Sequence, residues 1–139
     1  MNYRLFDKER DLDSCRRIWV ECGWLEPDKF EMFDKEVCAY SGLVAEMNGE
    51  AECLVLSSHG DVKHLDSIIP FGCVNTVTTS RIARKQKFAS MVTAATVAKL
   101  RHEGAAISGL GMFEQGYYNR VGFGSGAYVH QLRIDPTQL

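Results

Sequence analysis

The fold is decided by one segment, VNTVTTSRIARKQKFAS, which runs from Val74 to Ser90. Its first six residues are mostly β-branched and predict a strand that ends at Thr79. A basic loop follows, and the small residue Ala89 lies at the start of a helix. The first turn of a helix has unpaired N–H groups and a partial positive charge, which favour a bound phosphate and disfavour nearby cations.

Four basic side chains nevertheless crowd this helix start: Arg81, Arg84, Lys85 and Lys87. A bound anion would remove the conflict between these cations and the helix dipole. A solvated basic turn would explain the same residues without any ligand. A nucleic-acid surface is disfavoured, because the basic cluster spans one turn and has no interleaved aromatic residues.

Helical and strand-like periods alternate along the rest of the chain. In order, the pattern predicts a strand 2–6, helices 7–23 and 27–40, strands 42–47 and 51–57, an extended stretch 60–65 that turns at Asp66-Ser67, a strand 68–79, a helix 86–103, a strand 105–110, a short helix 114–121 and a closing strand 128–134. Asn48-Gly49 is the strongest hairpin signal. The predicted fold class is therefore α+β (mixed α/β), a mostly antiparallel twisted sheet with flanking helices in the order β-α-α-β-β-β-α-β-α-β.

Each long predicted helix has one apolar face, formed by residues three or four positions apart. These faces are Leu12, Cys15, Trp19 and Cys22 in the first helix, Phe30, Phe33, Val37 and Tyr40 in the second, and Phe88, Met91, Val92 and Ala95 in the third. Gly23 and Gly104 are natural C-terminal stops, and Pro27 fits the first turn of the second helix.

The composition is that of an ordinary globular protein. The 139 residues suffice for one domain, 1–139, and 45% hydrophobic with 24% charged residues exclude disorder and coiled coils. The net charge of −2 argues against a nucleic-acid partner. The five cysteines, widely spaced and without a C-x-x-C pair, predict buried free thiols in a reducing compartment and no metal site. Because no apolar run is long enough to span a membrane, we expect a cytoplasmic protein without a membrane partner.

A second cluster, between Phe113 and Phe123, contains the adjacent tyrosines Tyr117 and Tyr118. On a helix two such rings point in different directions, so one can pack while the other offers its hydroxyl to a cleft. A tyrosine hydroxyl can act as a general acid if it reaches a leaving group. Ordinary amphipathic packing of both rings is the alternative.

The segment 77–123 resembles the GNAT superfamily of acyl-CoA-dependent N-acyltransferases. The pyrophosphate motif of that family, Q/R-x-x-G-x-G/A, corresponds to Arg84-Lys85-Gln86-Lys87-Phe88-Ala89, and its later aromatic motif corresponds to Tyr117-Tyr118 followed by Gly122-Phe123. Within the superfamily the chain is most similar to the N-terminal domain of the enhanced-intracellular-survival branch, on Ile69-Pro70-Phe71-Gly72 and Arg84-Lys85-Gln86. The predicted order of elements also matches the superfamily over nearly the whole chain.

This resemblance implies an acetyl-CoA-dependent N-acetyltransferase that acts on a primary amine of a small molecule or peptide. The backbone of Val77 and Thr79 would hold the pantetheine arm of the coenzyme, and the motif segment would hold its pyrophosphate. The motif residues are Arg84, Lys85, Gln86, Lys87, Phe88, Ala89 and Ser90. Tyr118 would protonate the departing thiolate after direct attack of the amine, with the oxyanion held by a strand N–H. Because no covalent acyl-enzyme is needed, Cys73 is not expected to be a nucleophile.

Three departures from the family pattern stand out. The motif glycine is Lys87 here, and we expect it to be tolerated because the ligand is anionic and a helix does not require a positive φ. Where some members have a glutamate general base on the fourth strand, this chain has Cys73 with Asn75 beside it, so no base is identified. Larger members of the branch have two further domains and use their C-terminal carboxylate as base. This chain ends at Leu139, so we expect either a stand-alone domain or a piece of a longer protein.

The acceptor pocket of this fold is formed by the first two helices and the loop between the last two strands. Four acids could attract a cationic amine there or could form a solvated helix face: Glu26, Asp28, Glu31 and Asp34. The histidines His59, His64 and His130 are left out of the catalytic set, because lone histidines in strands and turns are usually structural.

Two further expectations concern the protein as a whole. The alternative function is a catalytically degenerate GNAT-fold binding module, either a CoA sensor or a protein-interaction domain. A homodimer would cover apolar surface that a single domain leaves exposed.

Overall fold

The computed structural model describes residues 2–114, 116–126, 133–135 and 137. In chain order the helices and strands are β1 (Asn2–Leu5), α1 (Lys8–Cys22), α2 (Phe30–Ala39), β2 (Ser41–Met47), β3 (Glu50–His64), β4 (Ser67–Thr79), α3 (Phe88–His102) and β5 (Ile107–Gly109). Short 3-10 turns span Pro27–Lys29, Arg81–Ala83 and Tyr118–Val121. None of the helices in these ranges is long and apolar enough to cross a membrane.

The strands form one sheet in the order β1-β2-β3-β4-β5. The pairs β1–β2, β2–β3 and β3–β4 are antiparallel, and β4–β5 is parallel. The predicted fold class, a mostly antiparallel sheet with flanking helices, is therefore confirmed. Most of the predicted closing strand 128–134, including His130, lies outside the described residues.

Helices cover both faces of the sheet, and alternate residues of the strands supply the two cores. Leu43 and Ala45 of β2 pack in the core that contains α3, whereas Val44 between them packs in the core of α1 and α2. Leu54 and Leu56 of β3 join Val44 on the α1–α2 side. The α1–α2 face is the one that borders the candidate site described below.

The ends of α1 follow the signals in its sequence. The Asp7 carboxylate caps the helix by accepting from the N–H groups of Glu9 and Arg10. Gly23 ends it with φ +73°, a left-handed conformation that glycine adopts without strain. The helix that begins at Pro27 in the prediction is instead a 3-10 turn followed by α2.

The two hairpin turns differ in how well the sequence predicts them. Asn48 and Gly49 both have positive φ (55° and 87°), which is the geometry that an Asn-Gly turn favours. The second turn is formed by Leu65 and Asp66, one residue earlier than predicted. Leu65 adopts φ +52° because the long β3–β4 ladder, which pairs His64 with Ser67, fixes the turn position. Local propensity does not favour leucine in that conformation.

One of two predicted helical features is confirmed and the other is corrected. The buried face of α3 consists of Phe88, Val92, Thr93, Thr96 and Leu100, and the half-buried Met91 and Ala95 pack against the same core, as predicted. The predicted helix 114–121 is reduced to the 3-10 turn Tyr118–Val121, and Gly116 before it has φ +96°, which a right-handed helix cannot contain.

The five cysteines are free thiols. Cys15 and Cys53 are buried, and burial raises the pKa of Cys15 to about 12 and that of Cys53 to about 11. Cys22, Cys38 and Cys73 are half-buried. The prediction of free thiols is therefore confirmed, and the prediction that all five are buried is wrong for three of them.

Candidate functional site

The site begins where β4 parts from β5. Within the described residues, β4 pairs with β5 over three positions, Phe71 to Cys73, and then continues to Thr79 without it. A bulge lies in this free part, because Leu54 of β3 is opposite Thr78 while Leu56 is opposite Asn75. Thr76, in the bulge, has φ +51°, an unusual value for a β-branched residue. The extra residue bends β4 and opens a gap beside its outer edge.

The Thr79 carbonyl faces away from β3, toward the edge of the sheet that β5 leaves uncovered. The Ser80 N–H donates to the Glu52 carbonyl of β3 at 2.9 Å, and in a trans peptide the preceding carbonyl points the opposite way. That carbonyl accepts from Arg84 Nε at 3.4 Å and lies 3.9 Å from the Cys22 thiol. Thr79 is thus available at the edge, but a side chain of the basic loop is already bonded to it.

The loop between β4 and α3 has an unusual backbone. Lys85 has φ +64° and Lys87 has φ +66°, so two long side chains occupy the left-handed region within three positions. Lys87 is the N-cap residue of α3 and forms no side-chain cap bond. The expectation that this position needs no positive φ is wrong: the family's glycine position is left-handed here, and Lys87 adopts it at the steric cost of its Cβ.

Turns of this kind orient successive N–H groups toward one point and form concave anion sites. Phe88 is buried in the core, so only its backbone can face the loop. Ala89 and Ser90 are half-buried in the first turn of α3, where N–H groups lack intrahelical acceptors. The side chains of Arg84, Lys85, Gln86 and Lys87 are exposed around this turn. Gln86 is held by a bond from Nε2 to the Ile82 carbonyl, 2.8 Å long.

Arg81 belongs to a different contact than the sequence suggests. Its backbone N–H donates to the Glu21 carboxylate at 2.9 Å, and its guanidinium lies 3.4 Å from the Glu21 carbonyl. The N–H of Arg81 and the nearby Arg17 lower the pKa of Glu21 against the opposing effect of burial. Arg81 therefore ties the loop to the end of α1 and is not one of the free cations of the helix start.

The two tyrosines have different surroundings. Tyr117 Oη lies 3.3 Å from Ser90 Oγ and so connects the later motif to the start of α3. Tyr118 lines the gap beside β4, together with Val77 and Leu110. The rings of the two tyrosines meet edge to face at 5.0 Å. Burial, with the charge of Tyr117, raises the pKa of the Tyr118 phenol, which keeps it protonated at neutral pH.

A cavity of about 290 Å³ opens on the α1–α2 face of the sheet at this gap. Its walls include Asn75 and Val77 from β4, Trp19 and Trp24 from the α1 side, and Glu36 from α2. Asn75 is part of a short chain of bonds on β4, since it accepts from the Cys73 thiol at 3.1 Å and donates to Ser58 Oγ at 3.2 Å. The Cys73 thiol, a weak donor, is thus the partner of Asn75 on this strand.

Glu36 was missed by the sequence prediction, which considered four other acids. Three of those form ion pairs, Glu26 with Lys29, Glu31 with Lys35, and Asp34 with Arg16, and Asp28 is exposed. None of the four lines the cavity. The signal for Glu36 is its spacing, three residues after Phe33 and four before Tyr40, which places an exposed carboxylate beside the apolar face of α2.

The ranges that the structure describes contain no group of three or more His, Cys, Asp or Glu side chains placed to hold a metal ion.

Comparison with solved structures identifies the fold as that of GNAT acetyltransferases. A protein from Clostridium acetobutylicum, solved with acetyl-CoA and titled a predicted acetyltransferase, superposes with TM-score 0.75 at 17% identity, covering 95% of each chain. The ribosomal-protein-alanine N-acetyltransferase of Brucella melitensis superposes with TM-score 0.74 at 12% identity, covering 96% of this chain and all of the other. A transcriptional regulator from Bacillus halodurans superposes with TM-score 0.78 at 14% identity, covering 96% of this chain and 99% of the other.

At these identities the likeness establishes the fold alone, and the third structure carries a title from another functional class. No protein-family model matches the sequence, and no curated protein matches it.

Proposed function

We propose that this protein is an acetyl-CoA-dependent N-acetyltransferase that acetylates a primary amine of a small molecule or peptide. The observation that carries the proposal is the conjunction of two features in a GNAT fold. One is the bulged, uncovered edge of β4 at Thr76, and the other is the left-handed loop at Lys85 and Lys87 before α3. Neither feature is needed to build the sheet, and strained backbone of this kind concentrates at functional sites.

The residues of this edge suit an extended ligand whose pantetheine arm leads to a pyrophosphate. The backbone of Val77 and Thr79 would bind the pantetheine arm as an added strand would be bound. The N–H groups from Lys85 to Ser90 would bind the pyrophosphate oxygens, supported by the positive end of α3. Arg84 would leave the Thr79 carbonyl and pair with a phosphate, since a charge-assisted bond is stronger than its present 3.4 Å contact.

In this proposal Lys87 contributes through its ammonium as well as its N–H. Its side chain is exposed and leads away from the core, so the ammonium can approach an anion at the loop. The left-handed backbone already has the conformation that the family's glycine would adopt. The backbone strain of a lysine in this conformation is offset by the stability of the rest of the fold.

Acetyl-CoA supplies the acetyl group as a thioester, and the residues around the gap direct its transfer. A primary amine reaches the carbonyl carbon with its lone pair, the C–N bond forms, and the C–S bond breaks. Tyr118 gives its phenolic proton to the leaving sulfur, and water restores it. The raised pKa of Tyr118 favours the protonated form that this role requires. The amine proton leaves to water, because Cys73 and Asn75 offer no carboxylate base on β4.

Direct transfer of the acetyl group to the amine is also consistent with a Cys73 that is not a nucleophile. The Cys73 thiol donates to Asn75 Oδ1, which is a neutral acceptor. A nucleophilic cysteine needs a nearby base or cation that favours the thiolate. Cys73 is therefore assigned a packing and positioning role.

A catalytically degenerate binding module is the second candidate, and Lys87 at the glycine position is the observation that favours it. One solved structure with the same fold is titled a transcriptional regulator and not an enzyme. In that case the chain would bind CoA without turnover, or would not bind it. The proposal also includes four expectations from the sequence. These are a likeness to the enhanced-intracellular-survival branch, a single domain 1–139, a cytoplasmic location and a homodimer.

Incubation with acetyl-CoA and a panel of amines, followed by mass spectrometry of the products, tests the enzyme proposal. Net formation of an acetylated amine, with release of one CoA for each product, is the expected result. CoA binding with no product from any amine would favour the sensor. Loss of product in Tyr118→Phe, with the parent active, would place the activity in this site rather than in a contaminant.

A further inference from the structure

The cavity on the α1–α2 face has a wall made largely of aromatic rings. Trp19, Trp24, Tyr40 and Phe113 all line it. Trp24 meets Trp19 edge to face, with ring centroids 5.7 Å apart and planes at 84°, and meets Phe113 at 5.3 Å and 46°. Because the ring planes differ in orientation, the cavity is bordered by both faces and edges of aromatic rings. Each face carries a negative quadrupole that attracts cations.

The wall is held rigidly on its inner side. Trp19 packs edge to face on Phe33, with centroids 4.6 Å apart, and Phe33 is 1% exposed in the core. The indole N–H of Trp19 is buried and has no acceptor among the described residues, so its ring is fixed by packing and not by a hydrogen bond. Trp24 and Phe113, in contrast, are exposed at 43% and 90%, so the open side of the cavity also has aromatic edges.

One carboxylate faces this aromatic space. Glu36 is the only charged residue among the described residues that line the cavity. Within the same ranges it forms no ion pair, although its neighbours on α2, Glu31 and Asp34, are paired with Lys35 and Arg16. Glu36 is exposed, so its carboxylate can be reached from solvent and can pair with a cation that enters the cavity. Among the residues that the structure describes, the cavity wall thus combines a negative charge with π faces and contains no positive group.

We propose that this cavity binds the acceptor as a small alkylammonium ion, held by Glu36 and by the aromatic rings of Trp19, Trp24 and Tyr40. This inference rests on the proposed acetyl transfer for its biological meaning, but not for the binding itself. Recognition of ammonium groups by aromatic walls is an established use of cation–π attraction. The volume, about 290 Å³, lies at the lower end of the range for ligand pockets, which favours a small amine.

The location of the cavity connects this cation site to the reacting groups. Tyr118, Asn75 and Val77 line the same space as Glu36. An alkylammonium ion that enters through the aromatic side therefore meets the β4 edge, where the thioester would lie in the proposed function. It gives one proton to water there, because only the free amine has the lone pair that attacks the thioester. Arylamines, which are uncharged at neutral pH, lack the charge that Glu36 would pair with, and anionic acceptors would be repelled.

Tryptophan fluorescence tests the binding directly. The chain contains two tryptophans, Trp19 and Trp24, and both line the cavity, so the emission reports on this site without any catalytic assay. Titration with butylammonium chloride at constant ionic strength should give a saturable change, whereas 1-butanol, of similar shape and no charge, should bind at least about tenfold more weakly. Equal responses to the two ligands, or no response to butylammonium, would overturn the proposal.

Two matched variants test whether the Glu36 carboxylate binds the ammonium group. Glu36→Gln preserves the size and helical position of the side chain, and it should weaken butylammonium binding about tenfold or more. Glu31→Gln removes an acid from the same helix outside the cavity and should leave the binding constant unchanged within about twofold. Circular dichroism and the melting temperature establish that both variants are folded. Unchanged binding in Glu36→Gln would remove Glu36 from the site.

Steady-state kinetics separate this inference from the proposed function. With acetyl-CoA saturating, butylamine should be preferred over 4-methylaniline, and Glu36→Gln should lower kcat/KM for butylamine about tenfold while leaving the KM for acetyl-CoA unchanged. Transfer that favours the arylamine would overturn the inference and leave the acetyltransferase standing. A fluorescence response to butylammonium in a protein that does not bind acetyl-CoA would instead overturn the proposed function and support the cation site.

Discussion

Arg84 Nε lies 3.4 Å from the carbonyl oxygen of Thr79, at the end of the strand edge that β5 leaves uncovered. The basic loop is thus bonded to the edge that the coenzyme arm would follow in our proposal. The bond is long, and its loss on ligand binding would be offset by a charge-assisted bond between the guanidinium and a phosphate. Arg84 therefore connects the two halves of the candidate site.

Replacing Tyr118 separates catalysis from binding. We predict that Tyr118→Phe lowers kcat by a factor on the order of 10²–10⁴, because the leaving sulfur then has no positioned proton donor. Acetyl-CoA affinity should change by less than about threefold, since Tyr118 lines the gap and not the basic loop. Tyr117→Phe is the control: it removes the 3.3 Å contact to Ser90, costs about 1 kcal/mol of stability and leaves kcat nearly unchanged. Equal losses in the two variants would contradict the assignment of Tyr118.

The pH dependence of kcat follows from the same residue. Burial raises the pKa of Tyr118 above its ordinary value, so the proton donor is present at neutral pH and is lost only as pH rises through the raised pKa. The alkaline limb of the kcat profile should therefore lie above about pH 10, the ordinary pKa of tyrosine. A profile that stays level there in the parent, or a limb that persists in Tyr118→Phe, would show that another group donates the proton.

The left-handed conformation of Lys87 has a measurable cost. We predict that Lys87→Gly stabilises the fold by about 1 kcal/mol, because glycine has no Cβ to clash at φ +66°. Lys87→Ala keeps a Cβ and should give no such gain. Urea denaturation of the three proteins measures the difference, and an unchanged m-value would show that a shift of the midpoint reports a change in stability. Equal stabilities of the glycine and alanine variants would mean that the backbone at this position is not strained in solution.

Cys73 gives a test of the direct mechanism. Because the thiol only donates to Asn75, Cys73→Ala should retain kcat within about threefold, and no acetylated enzyme should be detected by mass spectrometry after exposure to acetyl-CoA. An acetyl group on Cys73, together with loss of activity in the alanine variant, would require a covalent intermediate.

The elements with strong local signals could be predicted from the sequence. The N-cap Asp7, the stop at Gly23 and the Asn48-Gly49 turn each have a residue type that suits the local backbone, and all three are confirmed. The turn at Leu65 could not be predicted, because a leucine in the left-handed region is imposed by the ladder of β3 with β4. The length of the short helix could not be predicted, because Gly116 adopts φ +96° and glycine as a residue type is compatible with both helical and left-handed backbone.

The candidate site was predictable in outline but not in its decisive details. The basic loop and the tyrosine pair follow from residue types at a helix start and a turn. That Lys87 is left-handed depends on how the loop joins β4 to α3, and no local preference of lysine indicates it. The orientation of the Thr79 carbonyl depends on a bond between Ser80 and Glu52, which are 28 positions apart in the chain. Glu36 is predictable only in part, because its helical spacing places it beside the apolar face of α2 but does not indicate the cavity.

Binding of acetyl-CoA tests the central claim most directly, by calorimetric titration supported by thermal denaturation. We predict saturable binding of one acetyl-CoA, also given by CoA, with about 2.7 kcal/mol of added stability at 100 times the dissociation constant. Arg84→Glu should abolish it, while Lys63→Glu, which makes the same charge change on the exposed β3–β4 hairpin, should not. No binding at millimolar ligand, or equal binding in Arg84→Glu, would contradict the coenzyme site and with it the acetyltransferase.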